Sequence, residues 1–246
     1  RDNISDWMRK YDKDLSLIVT VCEKESESFY EEGYGYDKSV VQNLGFPRFD
    51  NLEKNDNKQI LIIPTWRKNI TDNKGIFKGS TYFNNLNSFL NSSELLEMVE
   101  KGYKIAFKPH PELLNFVKED GEITEDCFID LFDVPDEIHV ALDESYQDLL
   151  NDSSVLITDY SSVFFDFAYL NKPVIYYHPE NDAYHYEGSY FDYETMGFGD
   201  VFESSDDLFE KLNEYVGNNC RMEEEYQKRV DEFFTYTDKN NCKRVS

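Results

Sequence analysis

The sequence predicts an α/β protein built on a doubly wound parallel sheet, and three observations carry the prediction. Five short, β-branched apolar runs punctuate the middle of the chain, each continuous rather than alternating, as strands buried on both faces are. Helical patterns lie between them on short connections, which makes the crossovers right-handed and the strands parallel. The run Val155-Leu-Ile-Thr158 stops at Asp159, Tyr160, Ser161 and Ser162 and passes directly into a helical stretch, Val163 to Leu170. A strand's carboxyl end feeding a helix amino terminus leaves unpartnered N–H groups and partial positive charge where a phosphate can sit. The expected sheet is Rossmann-like.

The elements follow in order. Residues 1 to about 50 hold one strand candidate, Leu15 to Val21, a helical stretch through Ser26, Phe29 and Tyr30, and then Gly45-Phe-Pro-Arg-Phe-Asp50. One strand and one helix cannot bury their own faces, so this span reads as the tail of a preceding domain plus a linker. The Rossmann-like domain occupies 51–203. Its strands are Gln59 to Ile63, Lys104 to Phe107, Ile138 to Leu142, Val155 to Thr158 and Pro173 to Tyr177. A helix carrying Leu95, Leu96, Met98 and Val99 ends at Lys101-Gly102, glycine being the usual stop. A second carries Tyr146, Leu149 and Leu150 and ends at Asn151-Asp152. Residues 204–246 hold two amphipathic helices, around Leu208, Leu212, Tyr215 and Val216 and around Met222, Tyr226, Val230, Phe233 and Phe234, expected to pack on that domain. The start at Arg1 and the polar end read as a fragment of a longer polypeptide.

Composition narrows the function classes. With 246 residues, 40% of them hydrophobic and 16% aromatic, the chain can bury a substantial core. Its 50 acidic residues outnumber 25 basic ones, a net charge of −25 that repels a phosphate backbone and argues against nucleic-acid partners. A small anion held by a few local donors is still allowed. Runs such as Glu223 to Glu225 and Asp206-Asp207 read as solvated helix exteriors. Cys22, Cys127, Cys220 and Cys242 lack CxxC spacing and read as reduced, buried or half-buried thiols of a cytoplasmic protein. No signal peptide is visible, and the apolar runs are too short to span a bilayer.

In an open parallel sheet, ligands bind outside the carboxyl ends of the strands. The first strand ends in Pro64-Thr-Trp-Arg67, the second in Lys108-Pro-His-Pro111 and the fourth in Asp159-Tyr-Ser-Ser162. Cations (Arg67, Lys108), an imidazole (His110) and helix-start donors (Ser161, Ser162) thus converge on one edge, as a diphosphate requires. Each also has a plain structural reading. Arg67 pairs with a surface carboxylate, Trp66 packs, His110 caps the turn begun by Pro111, and a serine caps the helix. Two serines after Asp159 allow one to cap while the other faces a ligand. Two prolines around His110 aim its ring narrowly and favour a functional role. Asp159 either orients His110, binds a hydroxyl or caps. His139 reads as packing, and His178 is a secondary candidate. His185 lies in an aromatic loop, Tyr184 to Tyr193, that reads as a lid or interface patch. Asp12 and Asp14 read as surface. Walker-type, GxGxxG, HExxH and GxSxG motifs are absent.

Gly45-Phe-Pro-Arg-Phe-Asp50, Pro64-Thr-Trp-Arg67, Phe107-Lys-Pro-His-Pro111, Leu156 to Asp166 and Tyr190-Phe-Asp-Tyr193 occur in that order over nearly the whole chain. As a set they resemble the CDP-glycerol glycerophosphotransferase family, the teichoic acid and capsule polymerases. The resemblance implies one half of a GT-B fold, two Rossmann-like domains with the active site between them and the nucleotide on the carboxyl-terminal one. It implies transfer of an alditol phosphate, typically glycerol phosphate, from a CDP-linked donor such as CDP-glycerol to a hydroxyl of a lipid-linked acceptor, releasing CMP. Mapped onto this chain, His110 is catalytic or a diphosphate ligand, with Asp159 beside it, and Ser161 and Ser162 hold the donor phosphates. Thr65 lies in a matching motif and joins the substrate-binding group. Arg67 and Lys108 join it on charge and position. No metal or other cofactor is expected, because cations, an imidazole and a helix terminus surround the diphosphate. Family members carry a further histidine in a His-Gly pair of the amino-terminal domain, and no His-Gly occurs here. That domain is therefore an expected partner from the same polypeptide. The acceptor implies a full-length protein peripheral on the inner face of the plasma membrane. Two alternatives share the sheet: a GT-B hexosyltransferase or sugar-nucleotide epimerase, and a non-catalytic nucleotide-binding module.

Overall fold

A computed structural model of the chain describes residues 8–30, 34–55, 57–67, 77–116, 129, 131–179 and 190–246. Strands β1 (Ile18–Thr20) and β2 (Val41–Asn43) pair in parallel on either side of helix α1 (Glu23–Tyr30). Ile18, Phe29, Tyr34, Tyr36 and Val41 bury one another in this small unit. The strand expected over Leu15 to Val21 is thus shorter, with Leu17 exposed. It also has a partner, β2, which is too short to announce itself by pattern.

A 3-10 turn, Pro47–Asn51, leads into β3 (Gln59–Ile63), followed by α2 (Thr81–Leu90), α3 (Ser93–Glu100) and β4 (Lys104–Phe107). After a second 3-10 turn, Pro111–Phe116, come β5 (Ile138–Val140), α4 (Tyr146–Asp152), β6 (Val155–Thr158), α5 (Val163–Tyr169) and β7 (Val174–Tyr177). The chain then forms α6 (Tyr193–Met196), β8 (Val201–Phe202), α7 (Ser205–Gly217), α8 (Glu224–Phe233) and α9 (Asn241–Val245). The six strands β5-β4-β3-β6-β7-β8 make one all-parallel sheet, the Rossmann-like arrangement expected from the sequence. The sequence reading lacked β8, two residues at the sheet edge.

The continuous apolar runs are explained by burial on both faces. In β3, Ile60 and Ile62 enter one core with Leu86, Phe89, Leu95 and Met98, while Leu61 and Ile63 enter the other with Phe164 and Phe167. Helix α7 closes the first face with Leu208, Phe209, Leu212 and Tyr215, and α8 closes the second with Tyr226, Val230 and Phe233. Gly102, at φ +85°, ends α3 as expected: its N–H reaches the Val99 carbonyl (2.9 Å) and that of Tyr103 the Met98 carbonyl (3.0 Å). Cys22 and Cys220 are buried thiols and Cys242 is exposed, while Cys127 lies outside the described residues.

Helix α9 does not pack on the sheet but on the 3-10 turn at residues 47–51. The Asp50 carboxylate accepts from the backbone N–H groups of Asn241 (2.9 Å) and Cys242 (2.7 Å), holding the start of α9. Gly45 has φ +77°, and a Cβ there would lie 2.0 Å from Oδ1 of the fully buried Asn241. Gly45→Ala is therefore expected to cost about 2–3 kcal/mol, through both backbone strain and the clash. Urea denaturation checks this; an unchanged midpoint would mean that the α9 contact is dispensable.

Candidate active site

The sheet order reverses between β3 and β6, and that switch point is where a parallel sheet opens a crevice at its carboxyl edge. Ile63 lies opposite Thr158 there, and the Thr158 hydroxyl donates to the Ile63 carbonyl at 2.6 Å. The next residues form a closed bracket. One oxygen of the buried Asp159 carboxylate accepts from the backbone N–H groups of Thr65 (2.8 Å) and Tyr160 (2.6 Å). Its other oxygen accepts from Arg67 Nη1 (2.9 Å), and the Thr65 hydroxyl lies 2.9 Å from both oxygens. Arg67 is only 3% exposed, with its guanidinium 4.9 Å and 5.2 Å from the ring centres of Tyr82 and Tyr160. Tyr82 completes the bracket by donating to the Thr65 carbonyl at 2.7 Å. Arg67 does pair with a carboxylate, but beneath the crevice rather than at the surface, so its charge is compensated by Asp159.

His110 follows β4 through a buried Pro109. Its carbonyl accepts from the Leu113 N–H (2.9 Å) and its Nδ1 from the Glu112 N–H (3.1 Å), so the ring caps the turn Pro111–Phe116. The ring centre lies 6.0 Å from that of Trp66. Burial lowers the pKa of His110 against weaker opposing pulls from Glu112 and Asp159. A neutral imidazole accepting at Nδ1 carries its proton on Nε2, which makes Nε2 a hydrogen-bond donor. The group orienting His110 is the Glu112 amide and not Asp159, whose oxygens are engaged in the bracket.

Lys108 is also buried, and its ammonium donates to the carbonyls of Leu142 (2.6 Å) and Glu144 (3.0 Å). Burial lowers its pKa against the pull of Glu144 and Asp143. It therefore pins the loop between β5 and α4, and Tyr146 at the start of α4 lies beside it, its ring centre 5.5 Å from Nζ. Ser161 and Ser162 stand at the start of α5. Ser162 occupies the cap position with no side-chain capping bond, and the Ser161 hydroxyl reaches the Val163 N–H only at 3.5 Å. The serines capping α2, α3 and α4 do accept such bonds. The two α5 hydroxyls are thus spared most of the capping work expected of one of them.

His178, at the end of β7, stacks on Tyr160 with ring centres 4.1 Å apart, and its Nε2 lies 3.2 Å from the Asp159 carbonyl. Burial lowers its pKa. The packing role expected of His139 does not hold: its side chain is exposed on β5 and pairs with Glu144. Alternation along an edge strand turned it outward. Asp12 and Asp14 are exposed, as expected, whereas His185 and the aromatic loop up to residue 189 lie outside the described residues.

Sequence reasoning missed Tyr82, and it missed the pairing of Arg48 with Asp166, whose carboxylate accepts from Arg48 Nε at 2.6 Å and Nη2 at 2.9 Å. Arg48, Asp166, Tyr146, Gln147, Ser162 and neighbouring apolar side chains line a cavity of about 480 Å³. Among the described residues, no group of three His, Cys, Asp or Glu side chains is arranged to hold a metal ion.

A Rossmann-like sheet with polar residues gathered at the carboxyl ends of β3, β4 and β6 places the chain in the class of open parallel α/β proteins, whose ligands bind at that edge. Residues 2–246 match the CDP-Glycerol:Poly(glycerophosphate) glycerophosphotransferase family, and the chain belongs to that family. It is 44% identical to the Minor teichoic acid biosynthesis protein GgaB of Bacillus subtilis (strain 168), over 98% of this chain and 27% of that protein. The chain thus spans about a quarter of that relative's length. Among solved structures, the wall teichoic acid polymerase TagF superposes with a TM-score of 0.65 at 18% identity, covering 96% of this chain and 59% of that one. A TagF variant soaked with CDPG gives 0.60 at 19%, covering 96% and 58%. A UDP-N-acetylglucosamine 2-epimerase shares the fold more distantly, at TM-score 0.50 and 12% identity over 94% of this chain and 56% of that one.

Proposed function

We propose that this chain is the donor-binding part of an enzyme that transfers glycerol phosphate from CDP-glycerol to a hydroxyl of a lipid-linked teichoic acid acceptor, releasing CMP. Family membership supports the reaction class. The observation that carries the reading is His110, held by the Glu112 amide with Nε2 left as a donor, on the same sheet edge as the Asp159–Thr65–Arg67 bracket. In the reaction the acceptor oxygen forms a bond to the outer phosphorus and the anhydride bond to CMP breaks, so negative charge gathers on the phosphoryl oxygens and on the departing phosphate. A fixed N–H donor lowers the energy of that charge. His110 is thereby assigned as a phosphate clamp rather than as the base that deprotonates the acceptor, since a base needs an unprotonated nitrogen facing the hydroxyl.

Ser161 and Ser162 are proposed to hold the donor's diphosphate at the start of α5, and the cavity of about 480 Å³ beyond Ser162 to receive its nucleoside. Asp159, Thr65 and Arg67 shape the floor of the crevice, and Lys108 sets the loop that brings Tyr146 to the cavity. The proposed chemistry draws its charge stabilisation from His110 Nε2 and the donors at the start of α5, and needs no metal. The base and the rest of the cleft belong to a preceding domain of the same polypeptide, and the acceptor brings the enzyme to the inner face of the plasma membrane. Among the described residues no helix is long and apolar enough to cross a membrane.

Calorimetric titration tests the reading. CDP-glycerol should bind this chain at least about tenfold more tightly than UDP-glucose, a difference of about 1.4 kcal/mol. CDP-ribitol is the control for the alditol. Preference for UDP-glucose would favour the hexosyltransferase or epimerase alternative, and binding of neither nucleotide would overturn the donor site.

A further inference from the structure

The 3-10 turn Pro47–Asn51 carries an arginine that the proposed chemistry does not use. Through Nε and Nη2, Arg48 grips both oxygens of Asp166, a paired geometry that fixes the plane of the carboxylate as well as its distance. The partners are 118 positions apart, so the bond ties the segment before the sheet to helix α5. Asp166 is 8% exposed, and its helix begins at Ser162. Arg48, Asp166, Ser162 and Tyr146 line one cavity.

The arginine is itself held. Its guanidinium lies 4.4 Å and 5.0 Å from the ring centres of Phe46 and Phe49. The far side of the turn is clamped by the C-terminal segment, where Asp50 accepts from the Asn241 side chain (2.7 Å), Arg244 Nε donates to the Leu44 carbonyl (2.8 Å) and Lys239 donates to the Leu52 carbonyl. The Arg48 side chain is half exposed, but its guanidinium is laid against two rings and aimed at a nearly buried carboxylate in a cavity wall, on a turn that the C-terminal segment holds in place.

The geometry points to Arg48 as a positioning residue of the donor site, one that acts through Asp166 to hold the cavity wall beside Ser162 in its binding shape. This rests on the reading that the cavity receives the nucleoside part of a CDP-linked donor. It assigns a purpose to the motif Gly45 to Asp50, which contributes none of the clamp or diphosphate groups.

The test is a double-mutant cycle read by calorimetric titration of the chain with CDP-glycerol. Arg48→Gln and Asp166→Asn should each weaken binding by about tenfold, and the double variant should be no weaker than Asp166→Asn alone to within about twofold. Arg48→Lys, which keeps the charge but loses the second prong, should fall between wild type and Arg48→Gln and also serves if the glutamine variant does not fold. Thermal melts separate a merely structural role: a lowered Tm with wild-type affinity would overturn the proposal. Losses that multiply in the double variant, to about a hundredfold, would also overturn it, because Arg48 would then touch the donor independently. Wild-type binding with flat variants refutes only the role of Arg48, whereas absence of wild-type binding refutes the donor reading and this inference with it.

Discussion

Asp159→Ala should remove about 3–5 kcal/mol of folding stability, the cost of breaking a buried ion pair by removing one member. Arg67 is 3% exposed and Asp159 5%, so water cannot replace the lost carboxylate without the strand ends opening. The substitution also strips the backbone N–H groups of Thr65 and Tyr160 of their acceptor. Asp159→Asn keeps one oxygen for those amides but removes the carboxylate charge that faces Arg67, so a loss of about 2–3 kcal/mol is expected. Thr65→Val removes one hydroxyl from the same bracket and should cost about 1 kcal/mol. Urea denaturation of the three variants checks the ranking. An Asp159→Ala protein as stable as wild type would show that the bracket does not hold β3 to β6. The same bracket limits what Asp159 can do chemically, since its oxygens are occupied by protein donors.

At His110 the larger effect is expected on turnover. In the full-length protein, His110→Ala should lower the rate of CMP release from CDP-glycerol by about 10²–10³-fold, the usual loss for a donor aimed at developing phosphoryl charge. Its stability should fall by only about 1 kcal/mol, since one capping bond is lost. His110→Asn separates the two roles. The asparagine oxygen can accept the Glu112 N–H and keep the turn Pro111–Phe116 capped, but nothing replaces Nε2 in the crevice. The asparagine variant is therefore expected to melt like wild type and to be as slow as the alanine variant. If it were as fast as wild type, His110 would be a cap and nothing more.

The sheet was legible because its signal is local. Continuous apolar runs such as Gln59 to Ile63 and Val155 to Thr158 can be satisfied only by burial on both faces, and the helical patterns between them leave little choice of topology. That topology in turn put Thr65, Arg67, His110, Asp159 and the serine pair on one edge, so the candidate site could be outlined from sequence. Elements with too few residues to show a period, β2, β8 and α9, could not be read. Nor could the partner of each charge. Arg67 and Lys108 were visible as cations near a ligand edge, yet one is spent on Asp159 and the other on the carbonyls of Leu142 and Glu144. Arg48 looked like part of a linker and proves to hold Asp166, 118 residues away. Sequence by itself determined the longer strands, their parallel direction and which residues stand at their carboxyl ends, because these follow from burial periodicity and chain connectivity. Only the tertiary structure decided which donor meets which acceptor, because a hydrogen bond or ion pair depends on ångström-scale approach between segments whose spacing along the chain carries no trace of it.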